Sequence, residues 1–534
     1  MTEIEELDLG NTNTISNEAF LHAKLNQTNI VIPETVTNVQ SSAFKSPNIH
    51  ATNVIFKGDT AIYSNVFDQA NIDNLKFEGK AVIGQAAFFN SKVKTVDFGE
   101  KTKFIGGSAF QNTAIVQNEL KIPASVEKVV NNAFYSSEKK INKLILEAKE
   151  VYSNAFRLGK IKEIEISNTQ NIGDYAFSNV EVEKLKLSNT IKTLGRGVFN
   201  DNRINQNELL IPESIETIGE GLFQTKYGLN IKKLDYKAKA TTPMHFARTT
   251  YSVNPNKIEE IEISNTKKIG EYSFNYLGTK KITLHEGLET IEFKAFRDNP
   301  LVQEELVIPS TVKLVGAESF YSNTKNVNSL KVLNNSEIGD LAFAAGTIKD
   351  VDVSNSKVIG VKAFENSGVV NLKISPLIEK IKYRAFAANK LDIEELVIPN
   401  TLNEVEKGIF SRSGKIKNLI WDSSLKIPSE AFLSTRIQNI KITRAEEIEN
   451  HALYESLFTT VDLGPNMKKI GEFGLGYNEA GTTPTIVIPA TMEEMHQKAF
   501  WFLRNARLVV KKAEGTILNA PWGAQNNTTV VYEG

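Results

Sequence analysis

The chain has 534 residues, 62 Lys and Arg against 63 Asp and Glu, a formal net charge of -1, and no cysteine. That balance leaves no global basic field to hold nucleic acid or anionic lipid, and the lack of thiols excludes disulfides, thiolate metal sites and cysteine nucleophiles. No window approaches the ~18 apolar residues of a membrane helix, so no direct membrane insertion is expected of this segment.

At the N-terminus, MTEIEELDLGNTNTI shows no basic segment followed by an apolar run, so it does not read as a signal peptide. The last residues, TTVVYEG, still read as strand. Both ends therefore read as cut from a longer protein whose export signal and anchor lie elsewhere. From residue 6 onward, short alternating runs recur: ELDLG at 6, NVIFKG at 53, NLKFEG at 74, KLILEA at 143 and EIEISN at 163 and 260. Alternation with period two marks half-buried strands, and about 24 such runs follow one another along the chain. A turn rich in Asn, Ser, Gly or Pro comes next, then the phrase I-G-x-x-A-F, as in IGQAAF at 83 to 88, IGGSAF at 105 to 110 and IGDYAF at 172 to 177. In this phrase the Gly is expected to permit a tight bend, the Ala a close backbone approach, and the Phe to fill the interior.

The Phe slot recurs every 21 to 25 residues from Phe20 to Phe500, except for 28 between Phe246 and Phe274, and Leu453 and Leu475 occupy it twice. A unit of this length cannot bury its apolar face alone, so neighbours must stack. The spacing predicts a single solenoid domain over 1–534 with a buried column of rings. A longer period overlies the short one. I-P-x-[ST] phrases stand at 32, 122, 211, 308, 398 and 488, about every 90 residues or four coils, often after an acidic-Leu pair as in QNELKIP and QEELVIP. Proline cannot donate to a ladder, so each is expected to mark where every fourth strand stops.

Three of these phrases, KIPASVEKVVNNAF (121 to 134), LIPESIETIGEGLF (210 to 223) and VIPSTVKLVGAESF (307 to 320), resemble the BspA-like (Treponema-type) leucine-rich repeat. The resemblance spans essentially the whole chain. It implies an α/β leucine-rich-repeat solenoid, curved and right-handed, with a parallel concave sheet of about 24 short strands and with turns and short helical segments on the other side. It also implies a bacterial or protist surface location and adhesion to host proteins or other cells. Where such repeats often carry Cys after A-F, this chain has polar residues such as Asn90 and Asn112, so no thiol chemistry carries over.

No catalytic, cofactor or metal constellation emerges. The six histidines, at 22, 50, 245, 285, 451 and 496, form no metal spacing and read as surface or turn residues. GLGYNEAG (474 to 481) lacks the Lys-Ser/Thr of a phosphate loop and reads as a widened turn. Binding is instead sought on the sheet. The outward residue of each strand gives Val31, Ile55, Lys76 and Asp97 in the first four-coil cassette and Val397, Ile420, Lys441 and Asp462 in a later one. These are candidate partner contacts, an apolar band followed by charges. The bland reading is that β-branched residues are good strand formers and opposite charges add cross-strand stability. The insertion at 245–257 is the other irregularity, and its Arg248 and Tyr251 are candidate contacts on a projecting loop. The expected function is an extracellular bacterial adhesion module whose partner is a host or cell-surface protein or glycan. A stalk or wall-associated spacer is the alternative.

Overall fold

In the computed structural model the described residues are 3–239, 241, 245–246 and 257–533. The chain forms two units, Met1–Thr266 with Ser273–Thr279, and Lys267–Tyr272 with Lys280–Gly534. Each is a stack of β-coils. One side of a coil is a strand of up to nine residues, such as Lys24–Ile32, and the other a strand of two or three, such as Thr60–Ile62. Each unit contains twelve strands on the first of these sides among the described residues, the shortest being Glu3–Ile4. Neighbours pair in parallel, long with long and short with short, for example Leu144↔Ile164 and Val151↔Ile172. Alternation sets the faces: in Lys160–Ile166, Ile161, Ile164 and Ile166 are buried and Lys162 is exposed.

Where short helical segments were expected, the described residues contain none; turns and the short parallel ladder take their place. The reason lies two residues before most of the column's Phe residues. That residue sits in the left-handed region, as at Ser108 (φ 55°), Asn132 (φ 58°) and Tyr175 (φ 56°), which ends any right-handed helical run. The Gly of I-G-x-x-A-F does not make this bend. Gly84, Gly106 and Gly173 are not in the left-handed region, yet a Cβ on Gly106 would lie 2.6 Å from the backbone of Gly84. The glycine is there because successive coils press backbone on backbone.

The Phe column forms as the period predicts. In the first unit twelve rings, Phe20 to Phe274, stack with centroids 4.8 Å (Phe20–Phe44) to 5.7 Å (Phe177–Phe199) apart. In the second, Phe296 to Phe432 continue the pattern at 5.1 to 5.5 Å, and Leu453 and Leu475 are fully buried. Trp522, which the Phe period does not flag, closes the column edge-on against Phe500 at 6.2 Å. Beside the rings runs a line of buried polar side chains that satisfies the carbonyls of the column. Asn202 donates to Phe177 O (2.8 Å), Asn389 to Phe364 O and Phe386 O (both 2.8 Å), and Ser413 to Phe386 O (2.7 Å). Twice a lysine amine does this work. Buried Lys139 donates to the carbonyls of Ser136, Arg157 and Leu158, and buried Lys325 to those of Ser322, Ala344 and Ala345. Gly159 and Gly346 make room, since a Cβ there would meet the lysine stems at 2.7 and 2.6 Å.

The 90-residue period appears as seams in the long ladder. As expected, Pro33, Pro123, Pro212, Pro309, Pro399 and Pro489 each directly follow a strand end. The strands that end at Pro123, Pro212, Pro309 and Pro399 also begin where the long ladder is interrupted, and at the first three a glutamine bridges the gap. Gln117 accepts from Val96 N (2.8 Å) and donates to Val96 O (3.3 Å) and to Glu119 O. Gln206 does the same to Leu185, and Gln303 to Ile282. Gln117→Leu should therefore lower the unfolding free energy of this region by about 1–3 kcal/mol, because it strands an N–H and a C=O. Faster amide exchange at Val96, with Phe110 protection unchanged, would be the signature.

Candidate binding surface

The outward positions of the long ladder gather as the sequence predicts. In the first unit Val31 pairs with Ile55, Ile55 with Lys76 and Lys76 with Asp97. In the second, Val397 pairs with Ile420, Ile420 with Lys441, Lys441 with Asp462 and Asp462 with Val487. Val31, Val397 and Val487 are 42%, 37% and 44% exposed, while Ile55 and Ile420 are half-buried. The outward column ends sooner than expected at Val509, which is 7% exposed between its register partners Val487 and Val531. Arg248 and Tyr251 lie outside the described residues.

The charged members have distinct surroundings. Lys76 pairs with Glu78 at 3.0 Å, and that hydrogen bond raises its amine above the ordinary value. Asp97 and Asp462 accept the N–H of Gly99 (2.9 Å) and Gly464 (3.0 Å), which closes the turn after each strand. Lys441 is exposed and makes no ion pair among the described residues. It lies between two grooves, of about 530 Å³ toward Pro465 and Pro489 and about 370 Å³ toward Asn418 and Asn439.

A second row was not picked out from the sequence. Two residues upstream of the apolar column, on the same face, side-chain amides bond along the stack. Asn53 donates to Asn29 (2.8 Å), Asn74 to Asn53 (3.1 Å) and Thr95 to Asn74 (2.7 Å). Asn439 donates to Asn418 (2.8 Å) and Thr460 to Asn439 (2.8 Å). The signal was present as an Asn opening successive strand motifs (NVIF at 53, NLKF at 74, NLIW at 418, NIKI at 439). An amide row beside an apolar row presents donors, acceptors and methyl groups in parallel lines at about 4.8 Å intervals.

The other blocks carry a different surface. Glu119, Lys143, Glu163 and Lys184 follow one another in register, beside Lys121, Ile145, Glu165 and Lys186. Glu165 bonds Lys186 at 2.8 Å and Lys143 at 2.9 Å, which together hold its carboxyl below the usual range. In the second unit Lys331 pairs with Glu305 at 2.5 Å. Here opposite charges consume one another.

Histidine placement departs from expectation once. His245 is fully buried, edge-on to Tyr236 (5.5 Å), and burial pushes its imidazole down to about 3. A large ring at the coil interior outweighs the polarity that marked it as a surface residue. Among the described residues no three His, Asp or Glu side chains gather as a metal-ligand set, and no helix is long and apolar enough to cross a membrane.

With this geometry in hand, the chain can be set beside known proteins. A family model described as a BspA type leucine rich repeat region, in six copies, matches residues 13–142, 149–252, 248–370 and 357–479. The chain belongs to the BspA type leucine rich repeat family. Three solved structures show a likeness. The pneumococcal vaccine antigen PcpA is 13% identical, with 100% of this chain and 92% of that one covered and a TM-score of 0.22. A leucine rich cell surface protein from Faecalibacterium prausnitzii is 15% identical over 78% and 88%, at 0.25. A leucine-rich repeat protein from Bacteroides ovatus is 13% identical over 95% and 92%, at 0.22. No curated protein matches. In this BspA type chain the repeat explains the Phe column, the I-G approach and the IP phrase. The outward amide and apolar rows vary from block to block, so they carry what is individual to it.

Proposed function

We propose that the chain is a non-catalytic binding module of a bacterial cell-surface protein. In this reading it adheres to a host or cell-surface protein or glycan through the outward rows of residues 24–97 and 391–462. Membership of a repeat family with cell-surface relatives supports the location. The observation that carries the reading is the in-register row Val397–Ile420–Lys441–Asp462–Val487, with its cation unpaired, flanked by an amide row and two grooves. A surface with no task would be expected to neutralise its charges, as the Glu165 and Lys331 blocks do. Contiguous exposed apolar rows rimmed by polar groups mark contact sites.

The test is binding of the purified chain to a panel of matrix proteins, mucins and cells. Val397→Asp and Val31→Asp, at exposed positions, should melt as the parent does and lose about tenfold or more in affinity. A spacer that projects another domain is the second reading, favoured by recurrence of the same outward quartet in two cassettes. It predicts that both substitutions leave the function of the full-length protein intact.

A further inference from the structure

The two coils that lack a Phe in the buried column carry aromatic rings on the outside. Leu453 and Leu475 fill the interior slot, while His451, Tyr454, Phe473, Tyr477, Trp501 and Phe502 lie half-buried on the turns of three successive coils. Their rings form one connected patch. Phe473 contacts His451 (4.9 Å), Tyr454 (5.3 Å) and Trp501 (6.0 Å), and Phe502 contacts Tyr477 (5.2 Å) and Trp501 (5.3 Å). In the coil of Phe110 the corresponding turn positions hold Ser108 and Asn112. Four of the six rings stand in the left-handed region: His451 (φ 58°), Phe473 (φ 52°), Tyr477 (φ 62°) and Phe502 (φ 62°). The left-handed turn itself is general to the coils, as at Tyr175 and Leu341; what is particular here is that rings fill it on three successive coils.

The patch also states its chemistry. Lys498 already covers the Phe473 and Trp501 faces (5.5 and 5.6 Å) and pairs with Glu472 at 3.5 Å, and Arg504 covers Phe502 at 5.7 Å. A cationic ligand would therefore meet resident cations, Lys498 is neutralised by Glu472, and an anion would find only the exposed Arg504 free to pair. What remains is uncharged. The indole N–H of Trp501 and the imidazole of His451 make no hydrogen bond among the described residues, and burial, with the neighbouring Tyr477 hydroxyl, pushes the Tyr454 phenol up to about 12. Apolar ring faces with polar tips match a pyranose, whose C–H faces stack on aromatic rings while its hydroxyls take hydrogen bonds. Three coils span about 10 Å, the length of a short stretch of linked sugar rings. We propose that this aromatic patch, spread over the coils of Leu453, Leu475 and Phe500, is a binding site for a neutral oligosaccharide. It is separate from the sheet face and does not rest on the reading given to that face.

Trp421 and Trp522 are fully buried, so a surface ligand reports through Trp501. The purified chain is titrated with cellohexaose, chitohexaose and mannohexaose while tryptophan emission is followed. At least one should give a saturable change, and Tyr477→Ala and Phe502→Ala should weaken it by about tenfold or more without lowering the melting temperature. Phe473→Gly removes a ring and relaxes a left-handed residue, so it should melt no lower than the parent yet bind as weakly as the other two. The proposal is overturned if none of the three sugars gives a saturable signal, or if the signal survives these substitutions. It is equally overturned if the same rings prove to bind a protein and none of the sugars.

Discussion

Phe386→Ala should cost about 3–5 kcal/mol. The ring is fully buried, stacked at 5.2 Å on Phe364 and at 5.1 Å on Phe410. Truncation opens a ring-sized void that neighbours cannot refill, because coil spacing is set by the parallel ladders on both sides. The damage should stay local. In a stack, each coil answers mainly to the coils it touches, so amide exchange should rise around Phe364 and Phe410 and remain at parental values near Phe110 in the other unit. Equal loss of protection in both units would contradict a stacked-column account, as would a cost near zero.

Lys325 sets the second large effect, and it depends on pH. Burial pushes its amine down to about 7 from an ordinary 10.5, against an opposing pull from Asp298. Below about pH 7 folded and unfolded chains both hold the proton, and the contribution of the site is flat and at its lowest. Between about 7 and 10.5 the unfolded chain binds one proton more than the folded chain, so stability must rise with pH by about 1.4 kcal/mol per unit, some 5 kcal/mol in all. Lys325→Met removes the titrating group. The difference in unfolding free energy between parent and variant, from denaturant titrations across that window, should tilt in the parent's favour as pH rises. A level difference would mean that the ammonium stays charged among the carbonyls of Ser322, Ala344 and Ala345.

Legibility in the sequence followed physical cause. The Phe column and the two strand quartets were readable because burial and outward exposure impose a fixed period on residue type. Pro123 and its equivalents were readable as strand ends because proline lacks a donor. Gln117, Lys325 and Asn439 were not read, since each acts through a partner about 20 residues away and nothing in its own neighbourhood announces that partner. The left-handed turn was misassigned to glycine because Ser108 and Tyr175 adopt it without being glycine, and their conformation is imposed by the coil closing around them. Trp522 keeps the 22-residue interval from Phe500 but changes the ring. The aromatic patch was not legible because its rings fall at turn positions, outside the period that burial imposes on Phe.

The glutamine seams have a mechanical corollary. At Gln117 and Gln206 the long ladder is interrupted, while the short ladder on the opposite side of the coils runs without a break from Thr14 to Ile218. A joint fastened along one border and held along the other by one backbone bond (Val116 N–H to Lys94 O, Asn205 N–H to Glu183 O) and the glutamine's bonds behaves like the spine of a book. Each four-strand page stays stiff, and compliance is confined to the folds between pages. The first unit can thus tilt adjacent pages to follow an uneven partner without breaking a single strand pair.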